Sequence, residues 1–143
     1  MRLMLGVVLM LYSCSPQQSD DALIKKVQAS LTEEQKDIVR GGKAFATYIA
    51  QVEGKIKDPK MIDKILSAAA EGNLAYVPDL AKPDTSGWRV EREGDSTFVV
   101  FYARARNLTT KKVYEVSWRW SIDKTGRWVR FGGRRPQIKE VSE

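Results

Sequence analysis

Between Tyr114 and Ile122 apolar and polar residues alternate without a break. Tyr114, Val116, Trp118, Trp120 and Ile122 fall on one side of an extended strand, and Glu115, Ser117, Arg119 and Ser121 on the other. Side chains on a strand alternate between its two faces, so this stretch belongs to a sheet with one buried and one wet face. Antiparallel sheets accept that arrangement, whereas parallel sheets are covered on both sides. The same period of two runs through residues 88–93, 96–106, 112–123 and 127–131. The links are Gly94-Asp95, residues 107–111 and Lys124-Thr125-Gly126, too short for crossover helices. Four strands so connected form an antiparallel meander.

Upstream, residues 20–72 carry a helical period instead. Ser19 is placed to cap a first helix, with Asp20 and Asp21 in the turn where negative charge suits the helix dipole. Leu23, Ile24 and Val27 form its apolar stripe. Thr32-Glu33-Glu34-Gln35 is a capping-box sequence, in which a hydroxyl and an amide satisfy free backbone N–H groups. The helix behind it presents Ile38, Phe45, Tyr48, Ile49 and Val52, and stops at Gly54. Gly41-Gly42 interrupts that stripe, and marks either a kink or a close backbone contact. Asp58-Pro59 suits the start of a third helix whose inward residues are Met61, Ile62, Ile65, Leu66 and Ala69, ending at Gly72. Residues 73–86, with Pro78 and Pro83, read as a surface connector pinned by Leu74, Tyr76 and Val77. Helices first and strands after give an α+β fold: three N-terminal helices on one face of a four-stranded antiparallel meander, spanning residues 20–131 as one domain. The Gly- and charge-rich residues 132–143 are expected to fray as a flexible basic tail.

The chain has no histidine and one cysteine, so no His/Cys metal set and no Ser-His or Cys-His nucleophile pair can form. No loop has the acidic spacing of an EF-hand, and no Gly-rich phosphate cradle follows a strand. Ser121-Ile122-Asp123-Lys124 and Lys124-Thr125-Gly126 match the S-x-x-K and K-T-G patterns of penicillin-binding enzymes in letters alone. There the serine opens a helix and the two lysines are separate; here Ser121 lies mid-strand and both patterns share Lys124. Asn107-Leu108-Thr109 is a glycosylation sequon, relevant in a eukaryotic secretory host. No catalytic constellation remains, no cofactor is implied, and a non-enzymatic role is expected.

The first fourteen residues, MRLMLGVVLMLYSC, hold one basic residue, Arg2, then an apolar run from Leu3 to Tyr12, then Ser13 and Cys14. The run suits a signal h-region and is shorter than the roughly 20 apolar residues a membrane-spanning helix needs. Leu11-Tyr12-Ser13-Cys14 resembles the lipobox of bacterial lipoproteins, with Tyr12 departing from the small or β-branched residue usual there. The resemblance implies a signal peptide over residues 1–13, lipidation at Cys14 and a polar tether over residues 14–19. It further implies a membrane partner through the N-terminal lipid. Ser15 after the cysteine implies the periplasmic face of the outer membrane in a two-membrane cell. Several acyl chains, as bacterial lipoproteins carry, anchor stably where one would not.

The charge is uneven. From residue 87 onward there are 13 Lys+Arg against 7 Asp+Glu, while residues 15–86 hold 10 against 11. Alternation across the meander places Tyr102, Arg104 and Arg106 with Glu115 and Arg119, and Trp128 and Arg130 on the same side. Guanidinium forks hold phosphate or carboxylate and rings stack on flat faces, so this is a candidate ligand face for an anionic polymer such as a cell-wall glycan or lipopolysaccharide. Nucleic acid is not expected: an RNP-like aromatic motif is missing, and exported proteins rarely meet it. The competing expectation is that Arg, Glu and aromatics pair across strands and keep the face soluble. An envelope protein is the other partner class. Finally, the element order over residues 20–131 resembles that of NTF2-like domains, without a shared motif. Because the inward stripe is aromatic and aliphatic, that resemblance implies at most a small apolar ligand pocket.

Overall fold

The computed structural model describes residues 18–70 and 85–142. The expected signal peptide over residues 1–13, Cys14, Gly72, Leu74, Tyr76 and Val77 lie outside the described residues. Three helices come first: α1 (Asp20–Ser30), α2 (Glu33–Val52) and α3 (Pro59–Ala70). Five strands follow: β1 (Thr85–Glu93), β2 (Ser96–Arg106), β3 (Val113–Ile122), β4 (Val129–Phe131) and β5 (Gln137–Val141). All pairings are antiparallel, in the order β1-β2-β3-β4, with β5 also on β3. The α+β arrangement is therefore as the periodicity predicts.

The helix starts follow their caps. Ser19 Oγ accepts the Ala22 amide, and Thr32 and Gln35 form the reciprocal capping box. Leu23 and Val27 of α1 and Ile38, Phe45, Ala46, Ile49 and Ala50 of α2 bury against the sheet. There they meet Val99, Phe101, Ala103 and Ala105 of β2 and the alternating stripe of β3. An aromatic chain threads this layer: Phe45–Trp118, Trp118–Phe101, Phe101–Trp88, Trp88–Trp120 and Trp120–Phe131 have ring centroids 5.0–6.1 Å apart. Of these rings, the buried Phe45, Phe101, Trp118 and Trp120 each contribute on the order of 3 kcal/mol of burial, before the cost of ordering them.

Gly41-Gly42 resolves as a close contact and not a kink, since α2 runs unbroken through both. A Cβ built on Gly42 would stand 2.6 Å from Phe101 Cε1 and 3.1 Å from Trp118 Cζ3. The helix lies directly on those rings.

Three expectations need correction. The third helix does not turn Met61 inward: Met61 is 49 % exposed, and the facing residues are the half-buried Ile62 and Ile65. Met61 sits one position off that i, i+3 pair, which is enough to rotate it outward; the side chains of Leu66 and Ala69 lie outside the described residues. The outer face of β3 is not wet throughout, because Glu115 and Ser117 are both buried.

The tail from residue 132 does not fray. By register Phe131 opposes Trp120, and uninterrupted pairing would set Arg134 opposite Ser117; instead Gln137 does so, three residues later. β4 and β5 are thus one edge strand interrupted by a bulge of three extra residues. The bulge is held by its own contacts. Gly132 N donates to Arg119 O at 2.8 Å, and Trp118 Nε1 donates to Arg134 O at 2.8 Å. Arg134 pairs with Glu34 and Arg135 with Asp63, tying the bulge to α2 and α3.

Candidate functional site

The face of the sheet away from the helices is built by alternate residues of all five strands. β1 contributes Arg89, Glu91 and Glu93, β2 contributes Phe98, Tyr102, Arg104 and Arg106, and β3 contributes Glu115 and Arg119. β5 adds Lys139 directly opposite Glu115, and β4 adds Arg130 opposite Ser121. Of the residues singled out from the sequence, Tyr102, Arg104, Arg106, Arg119 and Arg130 share this side by strand parity, while Trp128 lies in the turn before β4 and has no register partner.

Their side chains are engaged with one another. Glu115 has no exposed surface. Arg89 grips it with its two terminal guanidinium nitrogens, Nη1 and Nη2, at 2.7 and 2.9 Å, the bidentate geometry that makes such pairs strong. Arg104 Nε donates at 3.1 Å, and Lys139 Nζ stands 3.4 Å away. Burial opposes ionisation of Glu115, but the hydrogen bonds from Arg89 and Arg104 and the charges of Arg89 and Lys139 outweigh it. They take the carboxyl from 4.5 down to about 2. The same contact raises Arg89 above its already high range against the opposing effect of burial.

The network continues along the face. Arg89 Nε donates to Glu91 at 3.0 Å, and Arg119 reaches Glu91 at 3.3 Å and Glu93 at 3.8 Å. Each ring supports a cation: Arg89 and Arg104 lie 4.7 and 5.5 Å from the Tyr102 centroid, and Arg119 lies 4.5 Å from that of Phe98. Arg104, Arg119 and Tyr102 are thus parts of an internal scaffold. Trp128 and Arg130 are exposed at the β3–β4 end, outside this network. Arg89, which does most to hold Glu115, and Lys139 beside it were not among the residues singled out from the sequence. A lone carboxylate on β3 opposite Arg104 was the available signal for the first. Lys139 had none, because its segment reads as a tail.

Two other places have shape. An apolar groove of about 290 Å³ between α2, α3 and β5 is lined by Ile49, Val52, Ile62, Ile65, Pro136 and Ile138, with Glu53 at its rim. Burial, and then the charge of Glu140, push the Glu53 carboxyl above its ordinary range. At the β2–β3 turn, Asn107 is buried: its Nδ2 donates to Ala50 O, and its Oδ1 accepts the Thr109 and Thr110 amides, both at 3.0 Å. The sequon nitrogen is thus occupied by the fold itself. Among the described residues no three His, Cys, Asp or Glu side chains gather as a metal site, and no helix is long and apolar enough to cross a membrane. Comparison with family models, characterised proteins and solved structures finds no match.

Proposed function

We propose that the protein is a lipid-anchored module of the bacterial cell envelope that binds or assembles with a partner and catalyses no reaction. The observation carrying this reading is the apolar run closed by Leu11-Tyr12-Ser13-Cys14, followed by polar residues that lead into the capped start of α1 at Ser19. An acylated Cys14 at the mature N-terminus places the domain at a membrane surface, on the periplasmic side of the outer membrane in a two-membrane cell. The charged sheet face fits this reading as support for the fold, since its strongly shifted groups, Arg89 and Glu115, are each other's partners. Perturbed titration marks catalytic sites when no such structural partner explains it. An anionic polymer would have to displace Glu91 and Glu115 from three arginines before gripping Arg104 or Arg119.

Growth with radiolabelled palmitate tests the anchor. The full chain takes up label and Cys14→Ala does not; a wild-type chain without label overturns the reading. A second reading is favoured by the groove between α2, α3 and β5: the module takes a small apolar ligand there. An apolar fluorophore should then bind the wild type and lose affinity at least tenfold in Ile62→Asp, an apolar-to-charged change costing on the order of 1.4 kcal/mol or more. Equal binding by the two proteins would remove this reading.

A further inference from the structure

We propose that the tip of the β3–β4 hairpin, with Trp128 set between Arg127 and Arg130, rests on the lipid surface to which Cys14 ties the chain. This inference rests on the lipid-anchored reading and adds to it an orientation. Trp128 is 55 % exposed, the only tryptophan among the large exposed apolar side chains of the described residues. It is nevertheless held firmly. Its amide donates to Asp123 Oδ1 at 3.0 Å, the Thr125 hydroxyl donates to Asp123 Oδ2, and Gly126 N donates to Asp123 O at 2.9 Å. Gly126, at φ +69°, closes the turn. Because the backbone that carries it is already fixed, contact has only the Trp128 side chain left to order, which lowers the cost of binding.

The tip also stands at the right end of the molecule. A Cβ on Gly126 would lie 3.4 Å from Gln18 Nε2 and 3.5 Å from Lys26 Nζ, so the turn touches the point where the described chain begins. Cys14 is four residues before Gln18, and four residues reach at most about 14 Å. An acyl chain at Cys14 therefore holds the membrane within that distance of the Gln18 backbone, and the Gln18 side chain reaches from there to the tip. Tryptophan settles at the headgroup level, and arginines next to it meet anionic lipid. Arg127 and Arg130, which flank Trp128 in sequence, are both exposed. The nearby acids are largely spent: Asp123 on the turn, Asp95 on Lys124 at 3.7 Å and Asp20 on Arg92 at 2.8 Å.

The full chain, purified from membranes, would be reconstituted in phosphatidylethanolamine–phosphatidylglycerol vesicles with and without brominated acyl chains. Flotation reports attachment, and tryptophan emission reports depth. Brominated lipid should quench part of the wild-type emission, and that part should be missing in Trp128→Ser, although both proteins float. Acrylamide quenching of the wild type should fall on attachment. Floating wild type and variant with identical bromolipid quenching would overturn the orientation while leaving the anchor intact. Emission that instead shifts with protein concentration would assign Trp128 to a protein contact and also overturn it. A wild-type chain that does not float would defeat the anchor reading, and the orientation with it.

Discussion

Glu115 concentrates the electrostatics of the molecule in one fully buried carboxylate contacted by Arg89, Arg104 and Lys139. Removing one partner of a buried pair leaves the other charge uncompensated, which typically costs about 3–5 kcal/mol. Arg89→Ala is therefore expected to destabilise the fold by about 3 kcal/mol, the lower end, because Arg104 and Lys139 remain. Chemical denaturation with urea checks it. The pH dependence has a definite sign. The folded-state value of Glu115 lies below its ordinary one, so its contribution is present above about pH 4.5 and is lost as the pH falls towards about 2. On the order of 3 kcal/mol of wild-type stability should disappear across that window at 1.36 kcal/mol per unit. Glu115→Gln, less stable at neutral pH, should show a correspondingly shallower acid limb. An unchanged acid limb would mean that the network contributes little.

Among the elements, α2 and the edge strand depend most on close fit. Gly42→Ala gains about 1 kcal/mol of helix propensity yet sets a methyl group 2.6 Å from Phe101 Cε1 and 3.1 Å from Trp118 Cζ3, on two buried rings. Overpacking costs typically about 1–3 kcal/mol, so the net change should be destabilising despite the better helix former, with a lower urea midpoint. Termination after Gly133 removes the acceptor of Trp118 Nε1, the Ile138 contact and Lys139. A loss of about 3 kcal/mol is expected from one part-buried hydrogen bond, one apolar side chain and one charge partner. Amide exchange should speed up along Val113–Ser117, where β5 pairs with β3. The helix caps, the four meander strands and the inward stripe of β3 were all legible, because each is written in local spacing. The fifth strand was not. Gly132-Gly133-Arg134-Arg135-Pro136 carries every mark of a strand ending, and only the long-range contacts of Trp118, Glu34 and Asp63 turn it into a bulge. Likewise β1 starts at Thr85 rather than at residue 88, because β2 is long enough to offer Arg104 as a partner.

For the molecule as a whole, the helices and the sheet are joined where α2 ends and the β2–β3 turn begins. Asn107 fastens that joint with three hydrogen bonds from a buried side chain. Asn107→Ala should cost about 2–3 kcal/mol, mainly the penalty of leaving the Ala50 carbonyl and two amides without partners, and should lower the thermal midpoint. The grouping of Tyr102, Arg104, Arg106, Arg119 and Arg130 on one side followed directly from strand parity in the sequence. That the central arginines are consumed by Glu91 and Glu115 did not, since side-chain pairing across four strands depends on register that short turns and a bulge set together. The proposed cellular role rests on reading residues 1–13 as a signal peptide and Cys14 as the lipidated residue. Intact mass of the protein recovered from membranes tests this most directly. A chain that begins at Cys14 and carries a diacylglyceryl thioether with an acylated amine agrees with the account. A chain that retains Met1 and a free thiol contradicts it.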